Sequence, residues 1–384
     1  MNLFSSSHTI GILGGGQLGK MLLRTTRQWD IKTKVMDPSP DAPSRIASNE
    51  FVQGDLMDYE KVVDFGKNVD VLTIEIENVN VAALATLEKQ GIKVYPQASV
   101  LKTIQNKCRQ KEFYQKNKIP TAPFQLFKDK EDLKNAVARG SLSFPFVWKS
   151  ESMGYDGYGV QIVRSNKDLE EVKQGACMAE DLVRIDKEIG IIVCRSPKGE
   201  TVCYPSVEME FHPTANQVEY VISPARIGKT LEEKAQKVAL KVSESFGHVG
   251  LLAVELFLTV DGEIWVNEVA PRPHNSGHYT IEAAYTSQFE QHIRALLDLP
   301  LGNTENKLAG VMVNLVGKEG HQGSVHYKNM EHILSIEGVN PHIYGKKETR
   351  PFRKMGHITI VHKEVATARK IAEQVKQTIE VITK

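Results

Sequence analysis

A predicted hairpin in the second half of the chain constrains its fold more than any other feature. The apolar run at 251–258 carries a single carboxylate, Glu255, and is followed by the turn-forming pair Asp261–Gly262 and a second apolar stretch. An antiparallel hairpin through this turn places Glu255 beside Glu268. With the Asn267 oxygen, the two carboxylates form a set of hard oxygen ligands that suits Mg²⁺ held between protein and a polyphosphate.

The segment that continues from this hairpin, Glu268–His278, is too polar for a buried strand. It holds a carboxylate, an amide, a guanidinium and two imidazoles within eleven positions. A buried strand would need a partner for each of these groups, whereas a surface loop could carry them at little cost. The segment therefore indicates a site only in combination with the paired carboxylates.

Length and composition exclude several classes of protein. A chain of 384 residues is too long for one ordinary core, so two or three domains are expected. The 48 Lys and Arg residues balance 47 Asp and Glu residues, which gives no general attraction for nucleic acids or membranes. No apolar run approaches the ~20 residues of a membrane span, and residues 1–9 lack the features of a secretory signal. Four scattered cysteines without a Cys-x-x-Cys motif fit reduced thiols in a cytoplasmic protein.

The N-terminal region alternates short apolar runs with amphipathic stretches over residues 8–96. This alternation predicts a parallel sheet with helices on both faces. A polar helix is predicted over 102–117, where Pro120 follows shortly after its end. The first domain boundary is therefore expected near residue 100.

The remainder of the chain follows a different pattern. Apolar runs between 144 and 272 are typical of antiparallel hairpins, so this region is predicted to be α+β. A third piece begins near 302 and contains strands and a terminal helix from Val365. The predicted domains are 1–100, 101–300 and 301–384.

The first glycine-rich loop has the pattern Gly-x-Gly-x-x-Gly at 14–19, and Asp37 follows at the end of the next predicted strand. Taken alone, this pattern suggests a nicotinamide or flavin cofactor. Backbone N–H groups at a helix N-terminus bind phosphate of any kind, so the loop does not specify its ligand. A tight turn that only packs strand against helix remains an alternative, and Asp37 could simply end a strand before Pro38.

A second polar cluster, Glu75–Asn78, follows another predicted strand. Ligands bind at the carboxyl ends of strands in open α/β sheets, so two acids and an amide here could hold ribose hydroxyls. A solvated loop with a helix cap at Asn78 or Asn80 explains the same residues equally well.

The second glycine-rich loop, Ser152–Gly159, follows Lys149 at the end of an apolar strand and precedes another strand. Glycines allow close backbone approach and the lysine supplies a point charge, so the unit can cover a polyphosphate. Farther on, Glu180–Val183 can offer backbone groups and apolar surface to a purine, and Glu188 can accept from ribose hydroxyls. An ordinary strand and turn is the simpler interpretation of that last segment.

In this order, the pieces resemble the ATP-grasp superfamily over nearly the whole chain, and within it the N5-carboxyaminoimidazole ribonucleotide synthetase family. The motif at 267–278 is highly specific, whereas the first loop alone is not. The matching motifs are Gly-Gly-Gly-Gln-Leu-Gly at 14–19, Glu-Ile-Glu-Asn at 75–78, Gly-Tyr-Asp-Gly at 154–157, Pro-Ala-Arg at 224–226, Asn-Glu-Val-Ala-Pro-Arg-Pro-His-Asn-Ser-Gly-His at 267–278, Tyr-Gly-Lys at 344–346 and Arg-Lys-Met-Gly-His at 353–357.

The resemblance implies an N-terminal parallel α/β domain, an ATP-grasp domain with a lid at about 120–185, and a small C-terminal domain. It implies that ATP phosphorylates bicarbonate to carboxyphosphate. That species, or CO₂ released from it, would carboxylate the exocyclic amine of 5-aminoimidazole ribonucleotide, a step of purine biosynthesis. ATP, Mg²⁺ and bicarbonate are the implied small-molecule partners, and the family suggests a homodimer.

The resemblance also assigns roles to individual residues. Mg²⁺ is expected at Glu255, Glu268 and Asn267. Catalytic roles fall to Arg272 and His274 as the bicarbonate site, to Asp156 as a base or orienting group for the amine, and to Tyr155 and Lys346. ATP is expected at Lys107, Lys149, Gly154, Tyr155, Asp156, Gly157, Tyr158, Gly159, Glu180, Asp181, Leu182, Val183, Glu188, His212, Asn267 and Glu268. The ribonucleotide, with its 5′-phosphate on the first loop, is expected at Gly15, Gly16, Gln17, Leu18, Glu75, Glu77, Asn78, Arg226, Asn275, Ser276, Lys346 and Arg353.

Several assignments have structural alternatives. Arg226 could be an ion-pair residue and His212 a surface histidine, while His278 and His357 are expected to be structural hydrogen-bonding residues. Two positions depart from the family pattern: Tyr158 stands where a basic residue is common, and Phe352 where a small one is. Other functions consistent with parts of the sequence are a formate-dependent ribonucleotide transformylase, a nicotinamide oxidoreductase, and a nucleotide sensor without catalysis.

Overall fold

The computed structural model describes residues 7–152, 159–215 and 217–384. Its first region is an all-parallel sheet, as predicted. The strands are β1 Thr9–Leu13, β2 Lys32–Asp37, β3 Glu50–Gln53, β4 Val71–Ile74 and β5 Lys93–Val94, and the helices are α1 Gln17–Gln28, α2 Tyr59–Gly66 and α3 Val81–Lys89. The strand order β3-β2-β1-β4-β5 reverses direction at β1, so the ends of β1 and β4 open a crevice. Strand β3 and helix α2 were not predicted, because β3 is short and only half-buried.

Two helices lead out of this sheet where one was predicted. The single helix over 102–117 is wrong, since the structure has α4 Ala98–Ile104 and α5 Lys107–Lys116. The break lies at Asn106, whose side chain accepts a hydrogen bond from the Arg109 backbone N–H at 2.9 Å. This cap starts a new helix and presents one face of α5 to the rest of the molecule.

A small antiparallel sheet follows in the region expected for a lid. It consists of β6 Phe124–Phe127, β7 Phe146–Ser150, β8 Val160–Val163 and β9 Cys177–Asp181, with helices α6 Lys130–Ala138 and α7 Asn166–Glu171. The strand order is β6-β9-β7-β8, so β7 and β9 lie side by side in its centre. Lys149 on β7 and Glu180 on β9 therefore come together from distant parts of the chain.

The next region is antiparallel, as predicted. It contains β10 Ile185–Arg195, β11 Thr201–Cys203, β12 Val207–Phe211, β13 Val218–Ser223, α8 Lys229–Phe246, β14 Gly250–Thr259, β15 Ile264–Ala270, a 3₁₀ turn Asn275–Gly277, α9 Thr280–Ala283, α10 Gln288–Leu296 and β16 Ala309–Val316. Helix α8 buries Ala235, Ala239 and Val242, spaced to share one face, against core residues of β10 and β14.

The C-terminal elements are β17 Gly323–Lys328, α11 Met330–Leu334, β18 Val339–Ile343, β19 Glu348–Thr349, β20 Lys354–His362, α12 Val365–Thr378 and β21 Glu380–Thr383. Strands β18 and β20 extend this same antiparallel sheet, whereas β17, β19 and β21 pair separately in the order β19-β17-β21. In the described residues the main sheet has nine strands in the order β15-β14-β10-β12-β13-β16-β20-β18, with β11 beside β10. The pairing of β13 with β16 joins the second and third regions into one layer. Among the described residues, no helix is long and apolar enough to cross a membrane.

Candidate active site

The predicted hairpin is confirmed, and it contains an irregularity that the sequence did not reveal. Strands β14 and β15 pair so that Glu255 lies opposite Glu268, while Leu256 lies opposite Val266. Asn267 is therefore an extra residue in β15, a bulge of the kind that redirects side chains next to active sites. The hairpin places two carboxylates and an amide at one edge of the sheet.

Burial and neighbouring negative charge make Glu255 and Glu188 difficult to ionise. The pKa of Glu255 is raised to about 8, first by burial and then by the negative charges of Glu268 and Glu188. The pKa of Glu188, on the neighbouring strand β10, is raised to about 7 by burial and by Glu268. A bound divalent cation would relieve this repulsion, so the residues present fit Mg²⁺.

The carboxylates do not form a closed metal cage by themselves. Within residues 7–152, 159–215 and 217–384, no group of three or more His, Cys, Asp or Glu side chains is arranged to hold a metal ion alone. Mg²⁺ commonly uses one or two protein carboxylates and takes its other ligands from water and substrate phosphates. The pair Glu255 and Glu268 matches that second mode of binding.

The opposite wall of the cleft carries positive charge. Lys149 Nζ lies 2.8 Å from one oxygen of Glu180 and donates to Asn267 Oδ1 at 3.0 Å. Lys111 Nζ lies 2.8 Å from the other Glu180 oxygen, and Lys107 Nζ lies 3.7 Å from Glu268. A narrow cleft between the small sheet and β15 is lined by Lys107, Gln110, Lys111, Lys149, Met178, Glu180, Asn267 and Glu268.

The predicted purine-binding segment borders this cleft. Asp181 is exposed and Leu182 and Val183 are half-buried, while Glu180 is buried. Burial alone would raise the pKa of Glu180, but Lys149 and Lys111 lower it below its ordinary value. The Glu180 carboxylate is therefore ionised, and it is engaged by two lysines rather than pointing freely into the cleft.

The expected bicarbonate residues lie beside the carboxylate pair. His274 Nε2 is 3.4 Å from Glu255 Oε1, and its Nδ1 is 2.9 Å from Ser276 Oγ. Burial, followed by the positive charges of Arg272 and Lys354, lowers the pKa of His274 to about 3, so its imidazole is neutral. The Arg272 Nε lies 2.9 Å from Glu77 Oε1, which brings together the 267–278 motif and the first domain.

In the first glycine-rich loop, carboxylates of the protein occupy backbone amides that were expected to bind the 5′-phosphate. The Glu75 carboxylate accepts from the backbone N–H groups of Gly16, Leu18 and Gly19 at 3.0–3.1 Å. Gly15 N–H donates to Asp37 at 2.7 Å. These four amides at the start of α1 are thus already bound to carboxylates, so they can bind a substrate phosphate only if Glu75 or Asp37 moves. In this arrangement the Glu75 and Asp37 carboxylates accept hydrogen bonds from the backbone, so neither is free to bind a ribose hydroxyl.

Other predicted ribonucleotide residues have protein partners. Arg226 contacts Glu208 and Glu210, with its Nε 2.9 Å from Glu208. Asn275 and Asn314 exchange two hydrogen bonds of 3.0 Å. Lys346 Nζ donates to the Lys354 carbonyl at 2.7 Å, Arg353 Nη1 donates to the Glu348 carbonyl at 2.7 Å, and Asn78 is exposed.

The departure at Phe352 changes the surroundings of His212. Phe352 has a φ of 61°, which is rare for a bulky side chain, and its ring packs edge-on against the His212 ring at 5.8 Å. His212 Nδ1 also accepts from the Thr214 and Ala215 backbone N–H groups. The C-terminal loop therefore touches the predicted nucleotide-binding histidine.

The central part of the second glycine-rich loop, Gly154, Tyr155, Asp156, Gly157 and Tyr158, lies outside the described residues. Gly159 is described. Its carbonyl accepts from Ser150 N–H at 2.9 Å, and its φ of 76° favours glycine.

Sequence reasoning missed two lysines whose charges act on the site. Lys111 lies one helical turn after Lys107, a spacing that puts both on one face of α5, so this periodicity could have indicated it. Lys354 lies within the motif at 353–357, and its charge acts on both Glu255 and His274. The expected structural role of His278 and His357 agrees with their burial, their mutual ring contact at 4.6 Å, and the bond between His357 Nδ1 and the Tyr344 hydroxyl.

Comparison with family models divides the chain into three consecutive matches. Residues 7–105 match the ribonucleotide synthetase preATP-grasp domain and residues 112–289 match the ATP-grasp domain. Residues 310–371 match the phosphoribosylaminoimidazole carboxylase C-terminal domain. These matches bear out the predicted fold class.

Individual relatives match over most of the chain. N5-carboxyaminoimidazole ribonucleotide synthase from Bacillus subtilis is 39% identical over 92% of this chain and 91% of its own length. Chloroplastic phosphoribosylaminoimidazole carboxylase from Vigna aconitifolia is 40% identical over 92% of this chain, which spans only 64% of that protein.

Solved structures match equally well. N5-carboxyaminoimidazole ribonucleotide synthetase from Thermotoga maritima has a TM-score of 0.90 and 43% identity, covering 98% of this chain and all of that one. The synthase from Aspergillus clavatus, in complex with ADP and 5-aminoimidazole ribonucleotide, has a TM-score of 0.88 and 32% identity, covering 97% of this chain and 98% of that one.

Proposed function

Since this chain belongs to the N5-carboxyaminoimidazole ribonucleotide synthetase family of ATP-grasp ligases, we propose that it carboxylates 5-aminoimidazole ribonucleotide with ATP and bicarbonate. The products are N5-carboxyaminoimidazole ribonucleotide, ADP and phosphate, within purine biosynthesis. The observation that supports this most is that Lys149 and Glu180 line one cleft with Glu268, which lies opposite Glu255 in the hairpin. His274 lies 3.4 Å from Glu255, and the charge of Arg272 acts on the same carboxylate. We also propose the division into domains at 1–100, 101–300 and 301–384.

ATP is proposed to lie along the cleft with its triphosphate at the carboxylate pair. Glu255 and Glu268, with Asn267, would hold Mg²⁺, which neutralises phosphate charge during phosphoryl transfer. Lys107 and Lys149 contribute positive charge to the phosphates. Further proposed ATP contacts are Gly154, Tyr155, Asp156, Gly157, Tyr158, Gly159, Glu180, Asp181, Leu182, Val183, Glu188 and His212.

Bicarbonate is proposed to bind at Arg272 and His274. A planar guanidinium matches a planar oxyanion through two parallel hydrogen bonds, which a point charge cannot do. The imidazole of His274 is neutral, so it has one ring N–H that can donate a hydrogen bond to bicarbonate. The Glu77 carboxylate, 2.9 Å from Arg272 Nε, fixes the orientation of the guanidinium plane.

The ribonucleotide is proposed to bind between the first loop and the C-terminal loop. Lys20 on α1 donates to the Ile343 carbonyl at 2.9 Å, so the helix that follows the first loop contacts the backbone just before the C-terminal loop. Asp156 and Tyr155 are proposed at the amine, and Lys346 and Arg353 near the phosphate. The other proposed contacts are Gly15, Gly16, Gln17, Leu18, Glu75, Glu77, Asn78, Arg226, Asn275 and Ser276.

We propose further that the protein is a cytoplasmic homodimer. The family suggests the homodimer. The four cysteines are free and mostly buried, which fits a reducing compartment. Burial raises the pKa of Cys108 to about 12, so this thiol is protonated and unreactive at neutral pH.

The proposed reaction is tested by measuring ADP release with ATP and Mg²⁺ while each co-substrate is omitted in turn. We expect release that depends on both bicarbonate and 5-aminoimidazole ribonucleotide. Release that requires formate instead of bicarbonate would assign a transformylase. Nucleotide binding without release under any combination would reject catalysis, and quenching or enhancement of NADH fluorescence would point to an oxidoreductase.

A further inference from the structure

A closed ring of polar contacts surrounds the inner end of the nucleotide cleft. Lys111 bonds to the Thr121 hydroxyl, which in turn donates to the Val266 carbonyl at 2.7 Å. Lys111 also pairs with Glu180. Glu180 pairs with Lys149, and Lys149 bonds to Asn267, the residue next to Val266. This polar ring therefore begins and ends on β15, at the bulge beside the carboxylate pair.

The ring contains two ammonium groups and one carboxylate. The Lys111 side chain is 3% exposed and that of Glu180 is 4% exposed, so neither charge is screened well by water. Lys149, at 10%, is the member that borders the open part of the cleft. Because Glu180 is shared between two lysines, the ring has a net charge of +1.

We propose that Lys111 is a positioning residue for nucleotide binding: it neutralises Glu180, so that the positive charge of Lys149 stays available to the phosphates of the nucleotide. This role rests on the proposed function only in that the cleft binds ATP. Without Lys111, Glu180 and Lys149 would form a self-neutralised buried pair, and the attraction for a polyphosphate would be lost.

The state of Lys111 supports this role. Burial lowers its pKa to about 8, against the opposing effect of Glu180, so it is mostly protonated at neutral pH. The polar partners of Lys111 are Glu180 and Thr121, both members of the ring. It therefore acts on the nucleotide through Glu180 and Lys149.

The test measures ADP binding by isothermal titration calorimetry, which does not depend on turnover of any proposed substrate. Lys111→Gln keeps a hydrogen-bond donor in the ring but removes the charge. We expect its ADP affinity to fall roughly tenfold or more. Lys116→Gln, an exposed lysine on the same helix, is the matched control and should bind as the wild type does.

A second variant separates charge from structure. In Lys111→Gln/Glu180→Gln the carboxylate that captures Lys149 is gone, and the glutamine oxygen can still accept a hydrogen bond. Since Glu180 is itself a proposed nucleotide contact, the reference is Lys111→Gln, and we expect the double variant to bind ADP about threefold or more tightly than that single variant. A purely structural role predicts that the double variant binds no better than the single one, and that result would overturn the proposal. Wild-type affinity in Lys111→Gln would overturn it as well.

Thermal melting of each variant checks that it is folded. If Lys111→Gln alone does not fold, the double variant is compared with Glu180→Gln. Since Lys111 acts through Glu180, its removal in the Glu180→Gln background should change ADP affinity by less than about threefold, and a larger loss contradicts the proposal. Absence of any ADP binding in the wild type would instead count against the proposed function.

Discussion

The two ends of the nucleotide cleft treat a buried carboxylate in opposite ways. At the inner end, Glu180 is paired with Lys111 and Lys149, and these charges lower its pKa below the ordinary value despite burial. At the outer end, Glu255 meets Glu268 and Glu188, and its pKa is raised to about 8. At the inner end, lysines of the protein neutralise the carboxylate. At the outer end, a bound cation would reduce the repulsion between the carboxylates.

This difference distinguishes residues that stabilise the fold of the cleft from residues that bind its ligand. Charge that is already compensated holds strands in place, as Glu180 does between β7, β9 and α5. Charge that is not compensated is costly in the free protein and becomes favourable when a ligand arrives. Glu255 is such a charge, and Glu268 is proposed to hold the cation with it, so the loss of either residue should affect catalysis most.

The largest effect is expected when one carboxylate of the outer pair is removed. Glu268→Gln deletes a proposed metal-ligating charge, and we expect the rate of ADP release at saturating substrates to fall by roughly 10²-fold or more. Glu263→Gln is the control, since Glu263 lies immediately before the same hairpin strand but is exposed and pairs with Lys234 at 3.0 Å. Near-normal turnover in Glu268→Gln would contradict the metal-site assignment.

A second change tests the cation next to the outer carboxylates. Arg272→Lys keeps the positive charge but loses the planar fork, so we expect the KM for bicarbonate to rise about tenfold. Arg184→Lys, which alters an exposed arginine near Asp261, should leave the kinetics unchanged. An unaltered bicarbonate dependence in Arg272→Lys would remove this residue from the oxyanion site.

The contrast between the two ends was only partly accessible from the sequence. The paired carboxylates were predicted because an apolar run, a turn and a second apolar run fix which residues face each other. The bulge at Asn267 was not, since the register shift depends on how both strands fit the rest of the sheet. Lys111 was missed because its burial requires the small sheet to fold against α5.

The first domain illustrates the same limit. Its parallel sheet follows from alternating apolar and amphipathic stretches. The occupation of the α1 N-terminus by Glu75 does not, because the bond to Gly19 spans 56 residues and either carboxylate or phosphate satisfies those amides. A local motif identifies an anion site, but only the tertiary structure shows which anion it holds.

The raised pKa of Glu255 predicts a pH-dependent cost in the metal-free protein. The native state keeps a proton on Glu255 up to about pH 8, while the unfolded chain loses it near the ordinary value, so stability falls as pH rises between those limits. Buried histidines such as His274 act in the opposite direction below pH 6.5, where the unfolded chain takes up protons. The informative window is therefore pH 6.5 to 8.

In that window, with EDTA present, we expect wild-type stability to fall by up to about 2 kcal/mol relative to Glu255→Gln. Urea unfolding of both proteins at pH 6.5, 7.2 and 8 measures this difference. Addition of Mg²⁺ and ADP should stabilise the wild type more strongly at pH 8 than at pH 6.5, because the cation binds the ionised form. Parallel stability curves for the two proteins would contradict the outer-end assignment.

The smallest expected effect tests whether the inner end is held by hydrogen bonds or by charge. Thr121→Val removes the hydroxyl between Lys111 and the Val266 carbonyl but leaves both lysines and Glu180 in place. We expect a loss of about 1 kcal/mol in stability and less than a threefold change in ADP affinity. Thr103→Val, whose hydroxyl bonds to the Ser99 carbonyl near the surface, is the control for stability. A tenfold loss of ADP affinity in Thr121→Val would mean that the geometry of the polar ring, and not its net charge, determines nucleotide binding.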